Sequence, residues 1–185
     1  MRIIAGDHRG RSISTPQGLG TRPTSDKARQ ALFNVLGHAV WAPPLPGARV
    51  LDMFAGSGAL GLEALSRGAE FAAFIDMAPA AVTALSKNIT SLRLDARAQV
   101  LKRHAGRLGN WSGVPFALVF LDPPYHKGLV APALEGLARG GWLSPAATLA
   151  VEHGAEEVLV TPDFMGELDQ RTWGAATVSF LRYLG

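Results

Sequence analysis

Leu51-Asp52-Met53-Phe54-Ala55-Gly56-Ser57-Gly58-Ala59-Leu60-Gly61 decides how this chain folds. Val50 to Phe54 reads as a strand. Ala59 to Arg67 reads as a helix, ended by Gly68. Between them Gly56, Gly58 and Gly61 satisfy G-x-G-x-x-G. Asp76 lies 20 residues beyond Gly56, at the end of the next predicted strand, Phe71 to Ile75. A glycine loop that opens a helix, with an acid at the next strand's end, is the first crossover of an adenosine-binding α/β sheet. The pattern points to an adenosine ligand more firmly than to which one.

Outward from that loop, strands alternate with helices. Pro79 suits the first turn of a helix striped by Val82, Leu85, Ile89 and Leu92. Ala98 to Leu101 and Phe116 to Leu121 read as the third and fourth strands. A helix over Leu129 to Leu137, ended by Gly140-Gly141, leads to a fifth strand, Ala147 to Glu152. Leu168 to Trp173 and Ala176 to Tyr183 then read as a closing strand pair. Seven strands in this order imply a Rossmann-like, mostly parallel, doubly wound sheet with an antiparallel C-terminal strand. Upstream, Arg2 to Ala5 and Ser12 to Thr15 predict a small hairpin around Gly6 and Gly10. Residues 25–37 predict a helix capped by Ser25, striped by Ala28, Ala31, Leu32, Val35 and Leu36, and closed by Gly37. Residues 42–47, Ala-Pro-Pro-Leu-Pro-Gly, read as a linker. The expected organisation is a basic extension, 1–24, and a main domain, 25–185, that includes the helix and linker.

Leu121-Asp122-Pro123-Pro124-Tyr125 ends the fourth strand at the same sheet edge as the glycine loop. Asp122 offers a carboxylate acceptor. Proline has no N–H and cannot continue a ladder, so a carbonyl of the pair is available. Tyr125 offers a stacking face. Two acceptors on one NH2 group beside a ring suit methylation of a nucleobase amine. The plainer reading is a strand stopped by a Pro-Pro turn.

Asp52 lies before the glycines, where it attracts a cofactor's ammonium and repels a pyrophosphate. That favours S-adenosylmethionine, with S-adenosylhomocysteine as product, over a nicotinamide dinucleotide. The cofactor candidates are Asp52, Phe54, Ala55, Gly56, Ser57, Gly58, Asp76, Met77, His104 and Ala105. His104 follows the third strand, at the place where an acid or amide often meets adenine in such enzymes. Histidines 8, 38, 104, 126 and 153 show no metal-ligand spacing, so no metal is expected.

The chain has 185 residues, 48% of them hydrophobic, enough for a substantial core. It has no cysteine, which excludes disulfides and thiolate metal sites. No apolar run approaches the roughly 20 residues that cross a bilayer. Met1-Arg2-Ile3-Ile4 lacks a signal peptide's apolar region, so a cytoplasmic protein is expected, and a small domain of this kind is expected to be a monomer. Net charge is +3, yet residues 1–30 hold six basic against two acidic side chains, a balance of +4. That segment suits a polyanion. Arg9, Arg11, Arg22, Lys27 and Arg29 are the candidate phosphate contacts, with Lys127 and Arg182 as further ones.

Asp52 to Gly61 with Leu62-Glu63-Ala64-Leu65-Ser66-Arg67-Gly68-Ala69 resembles the cofactor loop and first helix of bacterial small-subunit ribosomal RNA guanine-N2 methyltransferases of the RsmD type. Met1-Arg2-Ile3-Ile4-Ala5-Gly6, Arg9-Gly10-Arg11 and Arg22-Pro23-Thr24-Ser25-Asp26 resemble them too, as do Leu121 to Tyr125, Gly128-Leu129 and Val151-Glu152. The resemblance implies a class I methyltransferase that modifies one guanine N2 of 16S rRNA, presented in an assembled small subunit (30S) or an assembly intermediate. It implies Asp122, Pro123, Pro124 and Tyr125 as the catalytic loop and Thr24 as a cover on the cofactor. The residues alone leave open adenine N6 or a protein glutamine as the amine. A nicotinamide oxidoreductase and a non-catalytic RNA-binding module remain the rivals from other classes.

Overall fold

The computed structural model of the chain describes residues 1–16 and 25–185. Seven strands form one sheet in the order β3-β2-β1-β4-β5-β7-β6. They are β1 Arg49–Met53, β2 Phe71–Ile75, β3 Ala98–Leu101, β4 Phe116–Leu121, β5 Leu143–Gly154, β6 Met165–Trp173 and β7 Ala176–Tyr183. The helices are α1 Asp26–His38, α2 Ala59–Ser66, α3 Pro79–Ser91 and α4 Val130–Arg139. β1 to β5 pair in parallel, and β7 runs antiparallel to both β5 and β6. The strand order turns back between β1 and β4, so their two following loops flank one crevice, where ligands of open α/β sheets bind.

Alternation within the buried strands divides the core. Val50, Phe74, Leu118 and Phe120 pack on one face with Leu32, Phe33, Leu62, Leu65 and Leu85. Leu51, Met53, Val119 and Leu121 pack on the other with Leu134, Leu137 and Trp142. Strands covered on both faces need such unbroken apolar runs.

Several expectations shift. The N-terminal hairpin shrinks to one antiparallel bridge, Arg2 with Ser12. Gly6 (φ 80°) and Gly10 (φ 81°) turn the chain back, and hydrogen bonds from the Ile3, Gly10 and Ile13 N–H groups to the Arg11, Ile3 and Met1 carbonyls join the two short arms. Helix α1 does not close at Gly37. It runs to His38, and the Ala39 N–H closes it on the Val35 carbonyl. Its inward face also buries Arg29 and Phe33, outside the apolar stripe expected. Strand β5 begins at Leu143, ahead of Ala147, with a register shift against β4 between Phe116 and Leu118.

The N-terminal segment is bound to α2 and α3 by buried polar side chains. Glu63 accepts from the Ile4 N–H (2.8 Å) and the Ala5 N–H (3.0 Å). Asn88 accepts from the Ser14 N–H (2.8 Å) and donates to the Ser14 and Ser57 carbonyls (both 2.9 Å). Burying such groups is tolerable only because their partners are built in.

Candidate active site

The glycine loop leaves β1 with Phe54 in the left-handed region (φ 60°), where a residue with a side chain is strained. Its glycines answer to close packing. A Cβ on Gly61 would lie 2.4 Å from the Phe74 ring, and one on Gly58 would lie 2.3 Å from Leu85 Cδ1. Beneath the loop, Asp52 is only 2% exposed and its Oδ2 accepts the Gly61 N–H at 2.8 Å. From β1 the carboxylate thus faces the first turn of α2 and the positive end of its helix dipole. Burial pushes the Asp52 carboxyl well above the usual range. The Gly61 N–H opposes that rise, and the nearby Asp122 and Asp76 add to it.

Asp76 binds the loop from the β2 side. Its Oδ2 accepts the Gly56 N–H (2.8 Å) and its Oδ1 the Ala78 N–H (2.9 Å). Each carboxylate oxygen has a second acceptor position, so two places remain for ribose hydroxyls. Phe54, Ile75, Asp76, Met77, Arg103, His104, Ala105, Pro124 and Leu129 enclose a cavity of about 190 Å³. His104 Nδ1 accepts the Gly106 N–H at 3.1 Å and caps a short 3-10 turn, which leaves Nε2 as its remaining polar atom.

Four carboxylates thus stand at the ends of neighbouring strands: Asp76, Asp52, Asp122 and Glu152, on β2, β1, β4 and β5. Asp122 and Pro123 follow directly on Leu121, which pairs with Val151. The Tyr125 hydroxyl donates to Glu152 Oε1 at 2.6 Å. Burial, and then that hydrogen bond, push the Tyr125 phenol far above its ordinary value. Burial also raises the Glu152 carboxyl, while the Tyr125 hydroxyl works against it. Tyr125 and Glu152 line a second cavity of about 210 Å³. Pro124 and Leu129 belong to both cavities, Pro123 and Tyr125 line only the second, and Asp122 lines neither.

The structure therefore gathers Phe54, Asp76, Met77, His104, Ala105 and Pro124 around one cavity. Asp52, Ala55, Gly56, Ser57 and Gly58 form the loop and its support and are not among that cavity's walls. Glu152 was not among the expected site residues. An acid ending the fifth strand at the same edge as the others is the signal that marks it. Arg9, Arg11 and Lys27 are exposed, with Arg11 donating to the Ser91 carbonyl. Arg29 departs from expectation. It is fully buried, donates to the Arg2 carbonyl and pairs with Asp26, so it has no surface to present to a phosphate. Arg182, a further candidate, donates to the Trp41 carbonyl. Arg22 and Thr24 lie outside the described residues.

A seven-stranded sheet with one antiparallel strand, a glycine loop after β1 and an acid-Pro-Pro-Tyr turn after β4 define a class I methyltransferase fold. The family model described as "Conserved hypothetical protein 95" matches residues 1–182, and the chain belongs to that family, the RsmD family. It is 42% identical to "Ribosomal RNA small subunit methyltransferase D" of Escherichia coli K12, over 87% of this chain and 78% of that protein. It is 35% identical to YlbH of Bacillus subtilis over the full length of both. The solved structure of the Escherichia coli protein yhhF superposes with a TM-score of 0.82 at 35% identity, covering 100% of this chain and 98% of that one.

Proposed function

We propose that the protein transfers a methyl group from S-adenosylmethionine to the exocyclic N2 amine of one guanine in 16S rRNA, within an assembled or assembling small subunit. The observation that carries this reading is that Pro124, two residues after Asp122, lines both cavities. Asp122, Pro123, Pro124 and Tyr125 follow β4 at the acidic strand edge, and the loop divides the two cavities. The relatives' names support ribosomal RNA as the polymer.

The residues suit the cofactor. Asp76 and the 190 Å³ cavity would take its adenosine. The cluster of Asp52, Asp76 and Asp122 favours a ligand carrying an ammonium and a sulfonium. When bound, that cofactor supplies an electrophilic methyl whose leaving group is a neutral thioether, so no acid catalyst is required. The protein's task is to present the amine. The lone pair of an aryl amine is delocalised into the ring. Hydrogen bonds from its two N–H groups to the Asp122 carboxylate and the Pro123 carbonyl would orient it and favour a tetrahedral nitrogen. In this reading Asp122 accepts the proton released. Tyr125 stacks on the base, an interaction of about 1–3 kcal/mol. Holding nitrogen and methyl in line provides most of the acceleration. The base must leave its stack to enter. Residues 1–24, with Arg9 and Arg11, act with Lys27 as the RNA-contacting extension.

The test offers labelled S-adenosylmethionine with naked rRNA, assembled small subunits and duplex DNA, followed by nucleoside mapping. N2-methylguanosine in the small-subunit arm is expected. N6-methyladenosine as product would overturn the choice of base.

A further inference from the structure

The Asp122–Tyr125 loop continues into an exposed, strained stretch. His126, Lys127 and Gly128 are all exposed, and His126 (φ 58°) holds a left-handed conformation that a side chain disfavours. Helix α4 begins only at Val130. Such a conformation persists when its surroundings over-determine it, and burial does not do so here. A carboxylate from a later part of the chain does. Glu157 Oε1 accepts the His126 N–H at 2.7 Å and lies 3.3 Å from His126 Nδ1. Its Oε2 accepts the Gly154 N–H, at the last residue of β5, at 2.7 Å. One side chain thus ties the loop after β4 to the end of β5. The Gly154 and His126 N–H groups, more than the His126 ring, hold its carboxyl below the usual range.

We infer that Glu157 is a positioning residue for methyl transfer: it fixes His126, so that Tyr125 stays against Glu152 and Asp122 and Pro123 stay aimed at the incoming amine. The inference rests on the methyltransferase reading of the loop. Glu157 lines the second cavity and not the cofactor's. Its loss should therefore leave cofactor affinity alone and act on the chemical step.

The experiment measures kcat, KM for the small subunit, and S-adenosylhomocysteine affinity in Glu157→Ala and Glu157→Gln. For Glu157→Ala, kcat should fall roughly tenfold to a hundredfold, the range a displaced reacting group can cost. KM and S-adenosylhomocysteine Kd should stay within about threefold, a shift of under 0.7 kcal/mol. Glu157→Gln keeps one carbonyl acceptor and should recover part of kcat. Wild-type kcat in Glu157→Ala would overturn the inference. So would a loss that moves KM and cofactor Kd equally, or no recovery in Glu157→Gln. Wild-type protein that methylates none of the nucleic acids instead removes the functional reading itself, which separates the two failures.

Discussion

The two sides of the crevice are built differently. On the β1–β2 side, Asp52 and Asp76 are satisfied by backbone N–H groups of the glycine loop and the start of α3, 9, 20 and 2 residues away in sequence. The loop is wedged against Phe74 and Leu85. On the β4–β5 side, Asp122–Tyr125 is partly buried and runs into the exposed residues His126, Lys127 and Gly128. Its anchors are the carboxylates of Glu152 and Glu157, 27 and 31 residues from the groups they hold. A cofactor used in every cycle suits a half preformed by local contacts. Under the proposed function the other half must admit a base, and a loop tied at its rim by long-range contacts suits that.

Substitutions on each side should therefore fail differently. The largest effect is expected for Asp122→Ala. Methyl transfer should fall by about 10²-fold or more, while calorimetry with S-adenosylhomocysteine should show near-normal binding. A variant that methylates RNA normally would remove Asp122 from the chemistry.

Gly61→Ala should injure the other half. Its Cβ would overlap the Phe74 ring, and such overpacking costs about 1–3 kcal/mol. Denaturant melts should show that loss, together with weaker cofactor binding.

Tyr125→Phe keeps the stacking face and removes the hydrogen bond to Glu152. It should lower kcat by about fivefold, near the 1 kcal/mol typical of one such bond. Unchanged kcat would show that the Glu152 contact does not position the ring.

The smallest effect concerns pH. The folded Asp52 carboxyl titrates above its unfolded value, so its charged form costs stability at neutral pH. Stability should rise as pH falls through the folded value, and Asp52→Asn should flatten that rise. Thermal melts of both proteins from pH 8 down to the unfolded carboxyl value of 3.8 measure the difference.

How much was legible in the chain varies with the kind of contact. Phe71–Ile75, Ala98–Leu101, Phe116–Leu121 and Ala176–Tyr183 are strands with the bounds their apolar and turn patterns predict. Phe71–Ile75 and Phe116–Leu121 are buried on both faces, Ala98–Leu101 is a partly exposed edge strand, and all are bounded by turn residues, so local composition carries the signal. Met165–Trp173 begins three residues ahead of its predicted start, because pairing with β7 extends it back through Glu167, Gly166 and the buried Met165. Arg29 shows the converse error. A basic residue on an amphipathic helix reads as surface, yet here α1 turns it inward onto the Arg2 carbonyl and Asp26.

By itself the sequence determined the doubly wound sheet, the glycine loop with its two aspartates, and the acid-Pro-Pro-Tyr turn at the same edge. Hydrophobic period, glycine and proline are local signals, and parallel topology follows from alternating strands and helices. Only the tertiary structure decided that Glu152 and Glu157 hold that turn, that Glu63 and Asn88 hold the N-terminal segment, and that Pro124 and Leu129 divide two cavities. The physical reason is distance along the chain. A carboxylate can satisfy any N–H that folding brings within about 3 Å, and nothing in its own neighbours in sequence records which one that will be.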